Sequence, residues 1–297
     1  MFDTMIIGQV CLDTNIDYDG REEHRFGGAV LFSGHAAYNI GNNVAVVPKS
    51  NAANVDNAEA FADCPGIALF DCASKESTLM QNTYFTPDRE RRNCICAACI
   101  DPYTPADIPE EPAKIYHLAG LVAGDIGHDM IDACAAKGDV ALDVQCVIRR
   151  READKTLKLY DWPEKKEYLP KVRYLKTDAA EAEMLTGLTD REAAAKLLYS
   201  WGAKEVIITH NTEVIVYDGE NIYRAPIRAR NLTGRTGRGD TTFAGYLTER
   251  LTKDIPHALL FAAALVSLKM ETPGPFTGSR ADVEAYIDEF YADIKLD

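Results

Sequence analysis

The chain has 297 residues, 46% hydrophobic and 26% charged, with a formal net charge of −14. That length suits one large α/β unit with a minor appendage, and the apolar share can build a sizeable core, so a disordered chain is excluded. A uniformly acidic surface repels nucleic acid and anionic membrane, which sets both aside as partners.

No apolar run approaches the ~20 residues that span a bilayer. The first residues, MFDTMIIGQVCLD, carry no basic n-region and no long apolar h-region. They read as a strand (4–12) rather than a signal peptide, and the chain as cytoplasmic. RFGGAVLFSGHAAYNIG then gives a Gly-Gly turn opening into a helix through Ile40, followed by a buried strand at 43–48. Segments 78–86 and 93–100 read as strands joined by the charged turn PDRERR. With residues 14–26 they form the expected small β-rich lid, drawn from about 14–26 and 78–100. From 114 onward strand and helix alternate: KIYHLAG, a helix through 137, DVALDVQ, VRYLKT, AAEAEMLTG, a helix at 190–201 and EVIITH. IVYDG and NIYRAPI suggest a hairpin, and helices are expected at 240–252, 256–270 and 280–292. This pattern predicts a single α/β domain over 1–297, a three-layer sandwich around a mostly parallel sheet.

The 8 cysteines mostly stand singly in apolar stretches. Cys94, Cys96 and Cys99 cluster, but CxCxxC without a fourth ligand is weak for a metal, and alternation along a strand accounts for it.

The most informative segment is Thr233-Gly234-Arg235-Thr236-Gly237-Arg238-Gly239-Asp240-Thr241-Thr242-Phe243-Ala244-Gly245. Its glycines allow a tight turn, and Asp240 stands where a helix begins, beside amides that lack helical partners and face an anion. An Asp there either accepts the proton of an attacking hydroxyl or simply caps the helix. The segment resembles the signature D-T-x-G-A-G-D of the ribokinase-like (PfkB) family. The resemblance implies that Asp240 is the catalytic base, that Gly237, Arg238 and Gly239 form the anion hole, and that Thr236 lies near the nucleotide. Arg238 replaces Ala and Gly234 replaces the leading Asp; relatives use that Asp in a monovalent-cation site, so the resemblance leaves potassium activation open here.

Other stretches resemble the family in its order along nearly the whole chain. Asp13 with Gly27 and Gly28 matches its sugar-binding elements, although a strand-end Asp and a helix-entry Gly pair explain them equally. Lys176, Asp178 and Glu181 match the N-x-x-E element, which implies nucleotide binding by Lys176 and Asp178 and a magnesium role through water for Glu181. A solvated acidic first turn is the structural alternative. Thr209 and Asn211 stand where relatives face ATP, and 262–275 resembles the segment flanking adenine. ACIDPYTPADIP, VALDVQCVIRR and YLPKVRYLKTDAAEAEML look like the myo-inositol kinase branch and point to Gln145 and Arg149 as substrate contacts. Asp143 and Gln145 are otherwise scaffold alternating on a strand.

The resemblance therefore implies an ATP- and Mg²⁺-dependent kinase acting on a sugar or cyclic polyol, with lid closure excluding water. A nucleoside kinase, with Phe26, Phe32 or Tyr84 clamping a base, and a non-catalytic ligand-binding member are the alternatives. A homodimer paired through the lid strand 93–100 is a further expectation, unless that edge is covered within the chain.

Overall fold

Nine strands form one sheet in the order Ile222–Pro226, Glu213–Tyr217, Glu205–Thr209, Val172–Asp178, Asp139–Asp143, Ala113–Leu118, Phe2–Ile7, Val44–Val47, Ala68–Leu69. The seven strands from Glu205–Thr209 onward run parallel; Glu213–Tyr217 is antiparallel to them, and Ile222–Pro226, antiparallel to it in turn, runs in their direction again. This is a computed structural model, which describes residues 1–86 and 91–296. Central strands such as Val44–Val47 are apolar at every position because both faces are covered. One core packs Ile6, Val46, Ile115 and Ile207 under the helices Ala29–Asn39, Arg238–Arg250 and Ile255–Lys269. The other packs Ile7, Val47, Leu118, Leu142 and Ile208 under His128–Ala135, Ala179–Thr186 and Arg191–Ser200. Three layers result. Among the described residues no helix is long and apolar enough to cross a membrane.

A second sheet has the order Glu22–Gly27, Cys11–Ile16, Thr78–Tyr84, Arg92–Ala98. The single strand read at 4–12 is therefore two. The chain leaves the large sheet after Ile7 and enters the small one at Cys11. At Gly8 a Cβ would lie 2.2 Å from the Ala119 carbonyl oxygen, so only glycine makes this crossing. Of the turn PDRERR, residues 87–90 lie outside the described residues.

The outer edge of Arg92–Ala98 is covered from within the chain. The Cys96 amide donates to Lys155 O at 2.9 Å, Ile95 bridges Thr156, and Arg151 Nη2 donates to Ala97 O at 2.9 Å. All eight cysteines are free thiols. The Cys96 and Cys99 sulfurs are 3.3 Å apart, yet among the described residues no group of three or more His, Cys, Asp or Glu side chains is placed to hold a metal.

Candidate active site

Three parallel strands end at Asp143, Asp178 and Thr209, on the side of the sheet where open α/β folds bind ligands. Above these ends lies a cavity of about 350 Å³. The turn at 232–240 forms one wall, and Lys176, Asp178, Glu181, Thr209 and Asn211 form another. Gln145 and Arg149 also line the cavity, as does Tyr84 of the small sheet. Every candidate residue from the second half of the chain thus meets in one place. Asp13, Gly27 and Gly28 do not line this cavity. Asp13 packs against Gly27, where a Cβ would lie 2.4 Å from its Oδ2, and accepts from the Cys11 thiol at 3.0 Å.

The turn has a defined shape. Gly237 is the cap of helix Arg238–Arg250 at φ +77°, and no side chain caps that helix. Asp240 is its third residue, so the simple capping role considered for it does not apply. A Cβ at Gly237 would lie 2.2 Å from the Phe32 ring, and one at Gly239 would lie 3.1 Å from Lys176 Nζ. The Ser33 hydroxyl donates to the Asp240 carbonyl oxygen at 3.2 Å, tying helix Ala29–Asn39 to the turn. Gly237→Ala should cost about 1–3 kcal/mol through its left-handed backbone alone, more with the Phe32 contact, as measured by urea denaturation.

Charge organises the floor. Lys176 Nζ donates to Asp143 Oδ2 at 3.0 Å, and the two side chains are nearly inaccessible. Burial pulls the Lys176 ammonium down, but Asp143, Glu181, Asp240 and Asp178 together hold it well above its ordinary value. Asp240 is pushed up to about 6 by burial and then by Asp143, while Lys176, Arg149 and Lys269 oppose the rise. A carboxyl poised near 6 is ionised at neutral pH yet basic enough to take a hydroxyl proton.

Asp178 and Glu181 form a reciprocal capping box: the Asp178 amide donates to Glu181 Oε2 at 2.7 Å, and the Glu181 amide to Asp178 Oδ1 at 2.8 Å. The helix start is acidic as the local reading had it, but it is not solvated, because Glu181 is buried, and both residues line the cavity. Burial pushes Glu181 up to about 7, with Lys176 opposing and Asp178 adding to the rise. One or two carboxylates beside a phosphate site match how Mg²⁺ is held, mostly by waters and phosphate oxygens. Asp178 and Glu181 are the residues that would hold it, and it would supply charge neutralisation to the phosphates.

Gln145 is not on the strand with Asp143. The strand ends at Asp143, whose Oδ1 accepts from the Gln145 amide at 3.2 Å and starts the short helix Gln145–Ile148. Arg149 is aimed by its Nε bond to Leu121 O at 2.8 Å. Thr209 donates to Thr177 O at 3.4 Å, while Asn211 is exposed at the rim. The Arg238 amide reaches Arg235 O at 3.3 Å. Two cations escaped the sequence reading. Arg235 lines the cavity, and its place in the glycine-rich turn was the available signal. Lys269 lies behind the turn, and no local pattern marks it.

A second recess adjoins the cavity, lined by Val214, Ile227, Val266 and Met270 together with polar residues such as His210 and Arg238, close to the segment expected to flank an adenine. It encloses only about 10 Å³.

Residues 81–281 match the model of the pfkB family carbohydrate kinases. The chain is similar to a solved pyrophosphate-dependent kinase in the ribokinase family complexed with a pyrophosphate analog and myo-inositol: 32% identity, TM-score 0.86, covering 95% of this chain and 99% of that one. It is similar also to a pyrophosphate-dependent myo-inositol-1 kinase converted by mutation into a myo-inositol-3 kinase, with 32% identity, TM-score 0.86 and coverage of 97% and 99%. A cytidine kinase of Thermococcus kodakarensis is 25% identical over 256 residues, 83% of this chain and 88% of that protein. The three-layer ribokinase-like fold with its small extra sheet is the one expected from the sequence.

Proposed function

The chain belongs to the pfkB family of carbohydrate kinases, and we propose that it phosphorylates a ring hydroxyl of a cyclic polyol of the myo-inositol type. Family and fold make it a phosphotransferase with an alcohol acceptor. The observation that carries the chemical reading is Asp240: a carboxylate on the cavity floor, in the first turn of a helix, capping nothing and held near 6. In this reading Asp240 takes the acceptor proton, and the amides of Gly237 and Gly239 meet the transferring phosphoryl group, joined by that of Arg238 when it gives up its long 3.3 Å bond to Arg235 O. Lys176, Arg235 and Arg238 balance the donor's charge, with Thr236, Thr209, Asn211 and Asp178 around it. Gln145 and Arg149 position the acceptor from the cavity wall; Asp13, Gly27 and Gly28, outside that wall, join them only when the small sheet moves over the site.

For the donor we favour inorganic pyrophosphate over the ATP expected from sequence. The similar solved kinases at 32% identity are pyrophosphate-dependent. The recess beside the cavity, at about 10 Å³, adds little room for a base beyond the main cavity. The cations at 176, 235 and 238 suit a compact, highly charged donor.

The test is phosphorylated product formed with Mg²⁺ and either pyrophosphate or ATP, across inositols, hexoses, ribose, cytidine and adenosine. Turnover of myo-inositol with pyrophosphate, at least about tenfold above ATP in kcat/KM, is the expected result. A stronger response to ATP overturns the donor assignment, and preference for cytidine overturns the acceptor class.

A further inference from the structure

Lys269 ends the helix Ile255–Lys269, is 2% exposed and does not line the cavity. Its ammonium donates to the main-chain oxygen of Gly234 at 2.6 Å and to that of Thr236, and stands 5.0 Å from the centre of the Phe32 ring. The Gly234 amide in turn donates to Met270 O at 2.7 Å, and the Thr233 hydroxyl to Glu271 O at 2.9 Å. The glycine-rich turn is thus bound from behind by the end of one helix, at the pole where the helix dipole favours a cation.

A trans peptide holds its C=O and N–H in opposite directions. Drawing the Thr236 carbonyl onto Lys269 therefore turns the Gly237 N–H away from Lys269, and Gly237 lines the cavity. The Gly234 carbonyl does the same for the amide of Arg235. A buried ammonium is costly unless it is satisfied by such oxygens. Burial pulls Lys269 down to about 8, with Asp240 opposing. Packing alone would be served as well by an uncharged stem of the same length.

We infer that Lys269 is a positioning residue that takes the place of a bound monovalent cation, gathering the Gly234 and Thr236 carbonyls so that the turn presents its amides to the phosphoryl group. A potassium ion does not fit beside it, because both oxygens are taken and Gly234 offers no carboxylate. The inference rests on the reading of the turn at 237–240 as the phosphoryl site.

The experiment uses buffers with tetramethylammonium as the only added cation besides Mg²⁺. Wild-type turnover should be unchanged by about 100 mM KCl, beyond the small effect of screening. Lys269→Met, which fills the space without charge, should lose about 10²-fold in kcat with little change in acceptor KM, and no salt should restore it. Lys269→Ala should lose as much and regain about tenfold or more with KCl or NH₄Cl, part of the roughly 10²- to 10³-fold that one anion-hole contact is worth. The same salts should raise the Tm of Lys269→Ala but not that of the wild type. Potassium activation of the wild type, or full kcat in folded Lys269→Met, overturns the inference, as does Lys269→Ala that folds but gains neither rate nor Tm. If both variants fail to fold, the wild-type salt response decides. Absence of any wild-type turnover counts against the kinase reading instead, and the Tm comparison then decides the place of the cation by itself.

Discussion

Asp240→Asn should lower kcat by about 10²- to 10⁴-fold, because the amide cannot take the acceptor proton while the amides and cations of the site remain. In the wild type, the carboxylate is the active form and its pKa is held near 6. Activity should therefore fall as pH drops through about 6, and this acid limb should vanish in the residual activity of the variant. Stability should move in the opposite sense. The folded-state value lies above that of an unfolded Asp, about 3.9, so the folded chain holds this proton more tightly. The group's stabilising contribution is full below about pH 4 and is lost as pH rises through about 6. Asn does not ionise, so Asp240→Asn should melt roughly 2–4 °C higher than wild type at pH 8 for each kcal/mol recovered, with no gain at pH 4. Kinetics over pH 5–9 and thermal melts at both ends check this. Lost activity with a lowered Tm at pH 8 would mean damage to the turn rather than removal of a base.

Lys176→Met should be the most destabilising single change at the site. It leaves Asp143, 1% exposed, without the ammonium 3.0 Å away, and removing one partner of a buried pair typically costs about 3–5 kcal/mol. Denaturant unfolding gives the number, and the double variant Lys176→Met with Asp143→Asn should recover much of it, since a contacting pair is not additive. Strictly additive losses would show that the two residues act apart. Catalysis carries a separate signature. Lys176 is one of the cations holding Asp240 down. Its loss should move the acid limb to higher pH, a shift that poorer packing alone does not produce.

Much of the molecule was open to reading because its signals are local. Apolar runs such as Val44–Val47 announce buried strands, and strand–helix alternation after residue 114 announces the parallel sheet. Asp178 and Glu181 stand three apart as a capping box requires, and the glycines at 234, 237 and 239 mark a turn beside a helix start. Each depends on residues within one or two turns of backbone, where spacing alone dictates geometry. The strand errors fell where the chain left a local pattern: at Gly8 it crosses between sheets, and at Asp143 the carboxylate accepts from the Gln145 main-chain N–H as the strand ends.

What the linear order left open was set by partners far apart along the chain. Lys176 meets Asp143 across 33 residues because their strands are neighbours in the sheet, and Lys269 meets Gly234 across 35 because a helix returns behind the turn. The edge of Arg92–Ala98 is bound by Lys155, and the small recess beside the cavity is lined by side chains drawn from separate elements. Periodicity tells which face of an element is buried but not which element covers it. Charge pairing, pKa and the room left for a donor all depend on that choice, so they emerge only when the layers have packed.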